Sequence, residues 1–213
     1  MTIPLMQLAR RRQRRAQVDE VFDDLIDFVT VYEHTIREKQ AAFQARVAIQ
    51  AISKPGELEE HEIEALQNEE RQLVDAFPQT LRVASTALVH SALETQLREI
   101  AELLQPIRKV EIRLNDLNGS QSEKAESYFH RVCGIPPLSA EWSEITDYQL
   151  VRNAFVHNQG QLNDRAQSPN KIREAVKRLS AVRIDGDQII LEEDFAIGYA
   201  KSAKTLCRNI LQP

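Results

Sequence analysis

Apolar residues return at steps of three and four over long stretches of the chain, which is the period of a helix with one buried face. From about Gln17 to Ile52, Val18, Phe22, Leu25, Val29, Tyr32 and Ile36 form one such stripe and predict a long first helix. Lys54-Pro55-Gly56 is expected to stop it, because proline lacks an amide donor and glycine accepts a turn. A second helix is expected over about Leu58 to Phe77, ending near Pro78, and a third over about Gln79 to Gln105, closed by Pro106. Leu93, Leu97, Ile100 and Leu104 mark the buried side of the third.

Asn115-Asp116-Leu117-Asn118-Gly119 reads as a loop, after which Ser120 and Glu123 have the spacing of a capping box. The short helix they start carries Tyr128 and Phe129 and ends at Cys133-Gly134-Ile135-Pro136-Pro137. Ser139 is the expected cap of the next helix, where Glu141 and Glu144 favour the positive end of the dipole. Trp142, Ile145, Tyr148, Leu150, Val151, Ala154, Phe155 and Val156 point in nearly every direction around that helix, which predicts burial on most sides, with Gly160 ending it. Ser168-Pro169 is a cap followed by proline at the first helical position. Val182-Arg183-Ile184 and Gln188-Ile189-Ile190-Leu191 flank Asp185-Gly186, the one β signal, and predict a hairpin that must pack on helices. A last helix runs from about Glu193 to Leu211 and buries Phe195, Tyr199 and Leu206. The expected fold is therefore all-α, a helical bundle with one small β-hairpin near the C-terminus and an N-terminal helical extension.

Composition agrees: 42% hydrophobic and 28% charged residues in 213 suit a globular chain, and only 6 Gly and 8 Pro favour helix. Cys133 and Cys207 make neither a disulfide framework nor a metal cluster and are expected as buried thiols. No apolar run approaches the roughly 18 residues of a membrane span. The N-terminus, Met1 to Met6, leads straight into arginines rather than a secretory signal, so a cytoplasmic location without membrane contact is expected. The net charge of −5 argues against a generally basic nucleic-acid binder. Arg10, Arg11, Arg12, Arg14 and Arg15 nevertheless cluster, as do Glu57, Glu59, Glu60, Glu62, Glu64, Glu69 and Glu70. The basic cluster can be a solvated face, a contact for an acidic partner or a phosphate contact; the acidic one is a solvated helix surface.

The chemically suggestive segment is Arg152-Asn153-Ala154-Phe155-Val156-His157-Asn158. Burying its polar groups in a mostly buried helix requires partners, and either a satisfied structural network or a site supplies them. Asn153 and His157, one turn apart, could bond each other in the first case. At about 100° per residue, Arg152 and His157 stand about 140° apart, so joint action on one phosphate needs a loosened helix end, a reaching arginine or a second copy.

Arg152-Asn153-x-Phe155-Val156-His157-Asn158-x-Gly160 resembles the arginine-to-histidine motif of the HEPN superfamily, with four residues intervening and a polar residue directly after the arginine. Ser91-Ala92-Leu93-Glu94-x-x-Leu97, Lys124-Ala125-x-x-Tyr128, Trp142, the Asp185-Gly186 hairpin and the final helix resemble bacterial members in the same order. The resemblance covers 78–213 as a HEPN-like helical domain and leaves 1–77 as a helical extension of unknown role. It implies a dimer with the motif helices at the interface and, in active members, cleavage of RNA without metal or cofactor by attack of the ribose 2′-hydroxyl. His157 would then move the proton, Arg152 would bind the phosphate and stabilise its charge, and Asn153 would orient His157 or the phosphate. Asn158 joins Arg152 as an RNA contact, and Glu94 is a weaker supporting candidate because its helix resembles one that faces the motif. The implied roles are toxin, defence or RNA-processing ribonuclease, with an antitoxin or regulatory protein as partner. The alternative is a non-catalytic dimeric adaptor or RNA-binding protein. Gln159 stands where toxins neutralised by nucleotidyltransferase partners carry a tyrosine, which puts that mode of control in doubt.

Other candidates are weaker. His90 and Glu94 lie one turn apart as a metal pair would, but no third ligand follows by spacing. His34, His61 and His130 are isolated, and Trp142, Tyr148 and Phe155 read as core rather than base-stacking platforms. No phosphate-cradling glycine loop, nucleophile elbow or zinc-spaced cysteine set is present.

Overall fold

The computed structural model describes residues 5–53, 59–163 and 168–212. The stop expected at Lys54-Pro55-Gly56, the helix start at Leu58 and Glu57 of the acidic stretch lie outside them. The order is α1 (Leu5–Ser53), α2 (Glu60–Arg71), a π-helical turn (Gln72–Ala76), α3 (Phe77–Arg108), a 3₁₀ turn (Leu114–Asp116), α4 (Gln121–Ser127), a second π-helical turn (Tyr128–Val132), α5 (Ser139–Asn158), α6 (Pro169–Arg178), β1 (Val182–Asp185), β2 (Gln188–Leu191) and α7 (Phe195–Ile210). The fold is all-α with one antiparallel hairpin, as expected.

α1 starts twelve residues earlier than the apolar stripe suggested, at Leu5 rather than Gln17. The stripe does extend upstream, but in arginine. Arg11 is 4% exposed and donates from Nη1 to the Gln212 carbonyl at 3.1 Å. Arg14 donates to Gln96 Oε1 at 2.8 Å and pairs with Glu99. Their long aliphatic stems cover the core while the charged heads find acceptors. Two of the five clustered arginines are thus structural, and Arg10 and Arg12 remain exposed.

Pro78 does not break the chain into two helices. α2, the π-turn and α3 follow one another with helical backbone at every junction, including Gln72, Ala76 and Phe77. The π-turn explains the tolerance: Phe77 N–H bonds the Gln72 carbonyl, so the helix is locally wider just before a residue whose ring crowds the preceding turn and whose nitrogen donates nothing. Pro106 likewise sits inside the last turn of α3, which ends at Lys109 in the left-handed conformation, φ 55°.

The core gathers α1, α3, α5 and α7 around Phe22, Leu93, Ile145 and Leu206, all fully buried, and the hairpin closes one side with Ile189 and Leu191. Val18 and Phe22 of α1 belong to this same core. Tyr148 stacks on Tyr199 with ring centroids 4.7 Å apart and planes 8° from parallel. The approach of α5 to α7 depends on Gly198, where an added Cβ would meet the Tyr148 hydroxyl at 2.6 Å.

The Ser120–Glu123 capping box is present: Ser120 N–H donates to Glu123 Oε2 at 2.8 Å and Glu123 N–H to Ser120 Oγ at 3.4 Å. Neither of the other expected serine caps forms. Leu138 precedes α5, and Ser168 precedes α6 at φ 56° without a side-chain bond to a backbone amide. In the hairpin the two turn residues are Gly186 and Asp187 rather than Asp185 and Gly186, with Gly186 taking φ 58° at the first central position. Cys133 and Cys207 are buried free thiols, and burial raises both, Cys207 to about 12. Among the described residues no helix is long and apolar enough to cross a membrane.

Candidate functional site at the C-terminal end of α5

The motif lies in the last two turns of α5. The helix ends where expected: Gln159 turns left-handed at φ 52°, Gly160 follows at φ 78°, and their amides bond back to the carbonyls of Phe155 and Ala154. Gly160 is required by its surroundings as well as its φ, because a Cβ there would stand 2.6 Å from Phe155 Cε1 and 2.7 Å from Gln188 Nε2. The β-hairpin thereby braces the motif's end, with Ile189 N–H donating to the Gly160 carbonyl at 2.9 Å.

The expectation that α5 is buried on most sides is not met. Trp142, Ile145, Tyr148, Val151 and Ala154 are buried, but Val156 is 52% exposed, and Asn153 and His157 are exposed. Asn153 and His157 are therefore reachable from solvent rather than sealed in the core. Asn153 and His157 do not bond each other. Asn153 Oδ1 accepts from Arg152 Nη1 at 3.0 Å, and His157 forms no hydrogen bond or ion pair with any described residue. Asn158, half-buried, donates to the Gln161 carbonyl and to Asn163 Oδ1, which occupies it in shaping the turn after the helix.

Arg152 and His157 stand on different sides of α5. His157 and Asn153 continue, at four-, three- and four-residue steps, the stripe of Leu150 and Thr146. Thr146 and Leu150 of that stripe line a groove of about 590 Å³ between α5 and α6, floored by Trp142, whereas Asn153 and His157 do not line it. The groove's ionic lining is not basic: Glu126, Asp147 and Glu174 face Lys171 and Arg178. Arg178 is committed, donating from Nε and Nη2 to both oxygens of the buried Asp147 at 2.7 and 2.6 Å.

Arg152 turns instead toward α3 and α7. There, His90 Nδ1 lies 2.8 Å from the Tyr199 hydroxyl, and His90 Nε2 is 3.4 Å from Glu94 Oε1. Burial lowers the His90 pKa, the adjacent Glu94 opposes this, and the Arg152 charge reinforces it. Burial also holds the Tyr199 hydroxyl well above its ordinary range, while the Arg152 charge draws it down. These effects place the guanidinium within electrostatic reach of both groups. Arg152 Nε is shielded from solvent and has no hydrogen-bond partner among the described residues. Glu94, the supporting candidate, therefore does share a neighbourhood with Arg152. His90 and Tyr199 were missed as members of it: the spacing of His90 and Glu94 was legible, but Tyr199 comes from a helix more than a hundred residues later.

The remaining histidines are structurally engaged. His34 and His61 lie 3.3 and 3.2 Å from Glu38 and Glu59, and His130 Nδ1 is 3.0 Å from the Ile135 carbonyl. Among the described residues no group of three or more His, Cys, Asp or Glu could hold a metal ion. No family model, curated protein or solved structure matches the chain.

Proposed function

We propose that the chain is an RNA-cleaving protein of HEPN type that works as a dimer, with Arg152 and His157 of each active centre drawn from different copies. The single observation that carries this reading is the state of Arg152 and His157. His157 is exposed and bonds none of the described residues, and Arg152 Nε, like the Nε of Arg11, Arg14 and Arg208, is shielded without an acceptor among them. Both side chains are thus free to take a phosphate as partner.

In one chain the two side chains leave α5 about 140° apart. A two-fold pairing near the ends of the α5 helices supplies the missing group, with each copy's Arg152 reaching out from beside its own α3 and α7 toward the other copy's His157. His157 then accepts the proton of a ribose 2′-hydroxyl as O2′ attacks the adjacent phosphorus. The 5′-oxygen leaves, taking a proton from water, and a 2′,3′-cyclic phosphate and a 5′-hydroxyl result, while protonated His157 returns its proton to solvent. Arg152 matches the phosphate's growing negative charge, and Asn153, bonded to it, fixes the direction of the guanidinium.

The test is cleavage of single-stranded RNA in EDTA, followed by analysis of product ends. Arg152→Ala and His157→Ala should each abolish cutting. A mixture of the two should regain roughly a quarter of the wild-type rate, since half the dimers are mixed and each holds one intact composite centre. Full activity in His157→Ala, or no rescue on mixing, removes the shared-centre assignment. The separation of Arg152 from His157 favours one second reading, a non-catalytic dimeric adaptor in which the Arg152–His90–Tyr199 neighbourhood is structural; it predicts no cleavage by the wild-type chain under these conditions.

A further inference from the structure

The inner stripe of α1 is buried against α3 and α7, but the outer side of its second half carries another repeat. Phe28, Val31, Ile49 and Ile52 are 52%, 66%, 64% and 81% exposed. Between them the alternating three- and four-residue steps continue through Thr35, Glu38, Ala42 and Ala45, all exposed. Eight positions in this rhythm are the a and d sites of a coiled-coil seam, and they face away from the buried Val29, Glu33 and Phe43. Thr35 contributes its methyl group, because its hydroxyl is already bound to the Val31 carbonyl at 3.0 Å.

The seam is symmetric about residue 40. Reversing the helix about that point sets Phe28 opposite Ile52, Val31 opposite Ile49, Thr35 opposite Ala45 and Glu38 opposite Ala42, so large apolar residues close both ends, with Thr35, Ala42, Ala45 and the charged Glu38 between them. A surface that maps onto itself under a half-turn is suited to its own copy. We infer that two copies of this chain pair antiparallel along the outer face of α1, through residues 28–52.

Two further observations support this occupant and orientation. The four large side chains expose on the order of 500 Å² of surface per copy, so their complete burial in both copies covers at most about 1,000 Å², the lower bound of a specific contact. Charge favours the antiparallel orientation over the parallel one. A parallel pair would instead place the two Arg10–Arg15 clusters side by side, and like charges so close oppose it.

This contact does not involve the α5 motif, and its test does not involve RNA. The full chain is examined by light scattering after size exclusion, alongside Val31→Glu and Ile49→Glu. Each substitution should halve the particle mass at micromolar concentration while leaving the helical circular dichroism unchanged. Ala41→Cys, beside the axis, should cross-link to itself under mild oxidation, whereas Phe28→Cys should not, since antiparallel pairing holds the two Phe28 sites about 36 Å apart along the axis. Cys133 and Cys207 are buried and do not compete. A monomeric wild type, a mass unmoved by both glutamates, or ready self-linking of Phe28→Cys overturns the inference.

Discussion

Arg82 grips both carboxylate oxygens of Glu33, with Nε 2.7 Å from Oε1 and Nη2 2.9 Å from Oε2, and its remaining arm donates to the Leu191 carbonyl at 3.1 Å. One side chain of α3 thus ties α1 to β2. Glu33 is 2% exposed, so its charge depends on this pair. Removing one partner of a buried pair strands the other, which costs about 3–5 kcal/mol, whereas replacing both by apolar residues is often neutral. Arg82→Ala should lower the midpoint of chemical denaturation sharply, and Arg82→Met with Glu33→Leu should recover most of it. Equal loss in the single and double variants would show that the ion pair itself, rather than a stranded charge, sets the stability.

The His90–Tyr199 contact makes a pH prediction. His90 Nδ1 faces the Tyr199 hydroxyl and Nε2 faces Glu94, so the neutral ring accepts from Tyr199 O–H at Nδ1 when Nε2 carries the proton toward Glu94. Its folded-state pKa is lowered, chiefly by burial. A lowered pKa means that the unfolded chain binds the proton more readily, so this contribution to stability is complete above about pH 6.5 and is lost as pH falls through the folded value. Denaturation midpoints should decline between pH 7 and 5, and less steeply in His90→Gln. Parallel curves for the two proteins would remove His90 as a source of acid sensitivity. Tyr199→Phe, which leaves Nδ1 buried without a partner, should cost about 1–3 kcal/mol at pH 7.5.

Gly198 tests the α5–α7 approach. Alanine there should gain up to about 1 kcal/mol of helix propensity but force the Tyr148 hydroxyl aside, at a cost of about 1–3 kcal/mol. Tyr148 is held in its stack on Tyr199 and edge-on to Phe195, so it has little room to yield. Gly198→Ala is expected to lower the melting temperature in the wild type and to be tolerated in a Tyr148→Phe background. A double-mutant cycle measures the coupling, and a value near zero contradicts the proposed clash.

Gly160→Ala combines a positive φ with a Cβ pressed on Phe155 and Gln188. It should destabilise by about 1–3 kcal/mol. Because Gly160 anchors the hairpin to the end of α5, hydrogen exchange should accelerate at the amides of Gly160 and Ile189 before it does in the core of α3. Uniform acceleration would mean that the hairpin and helix end do not open as a local unit.

The motif was legible as a string, and its termination at Gly160 was legible because φ preference is a property of one residue. Its exposure was not. Counting apolar residues around α5 placed Val156 with Val151, yet only Val151 meets a neighbouring helix. The second apolar face of α1 was masked in a similar way, since a stripe read for its buried side hides a sparser one behind it. Pro78 misled because a proline is normally a stop, and its accommodation depends on a π-turn whose register no local preference dictates.

Helix content, the Ser120–Glu123 cap, the hairpin and most of the buried stripe of α3 follow from the chain alone, because hydrogen bonds within four residues and the 3.6-residue period are local matters. Tertiary packing decided the rest. It sent Arg11 and Arg14 inward, brought Tyr199 to His90 across more than a hundred residues, and left His157 and Arg152 facing different neighbours on one helix. Such outcomes depend on which helix lies against which face, and that is settled by the fit of distant side chains to one another.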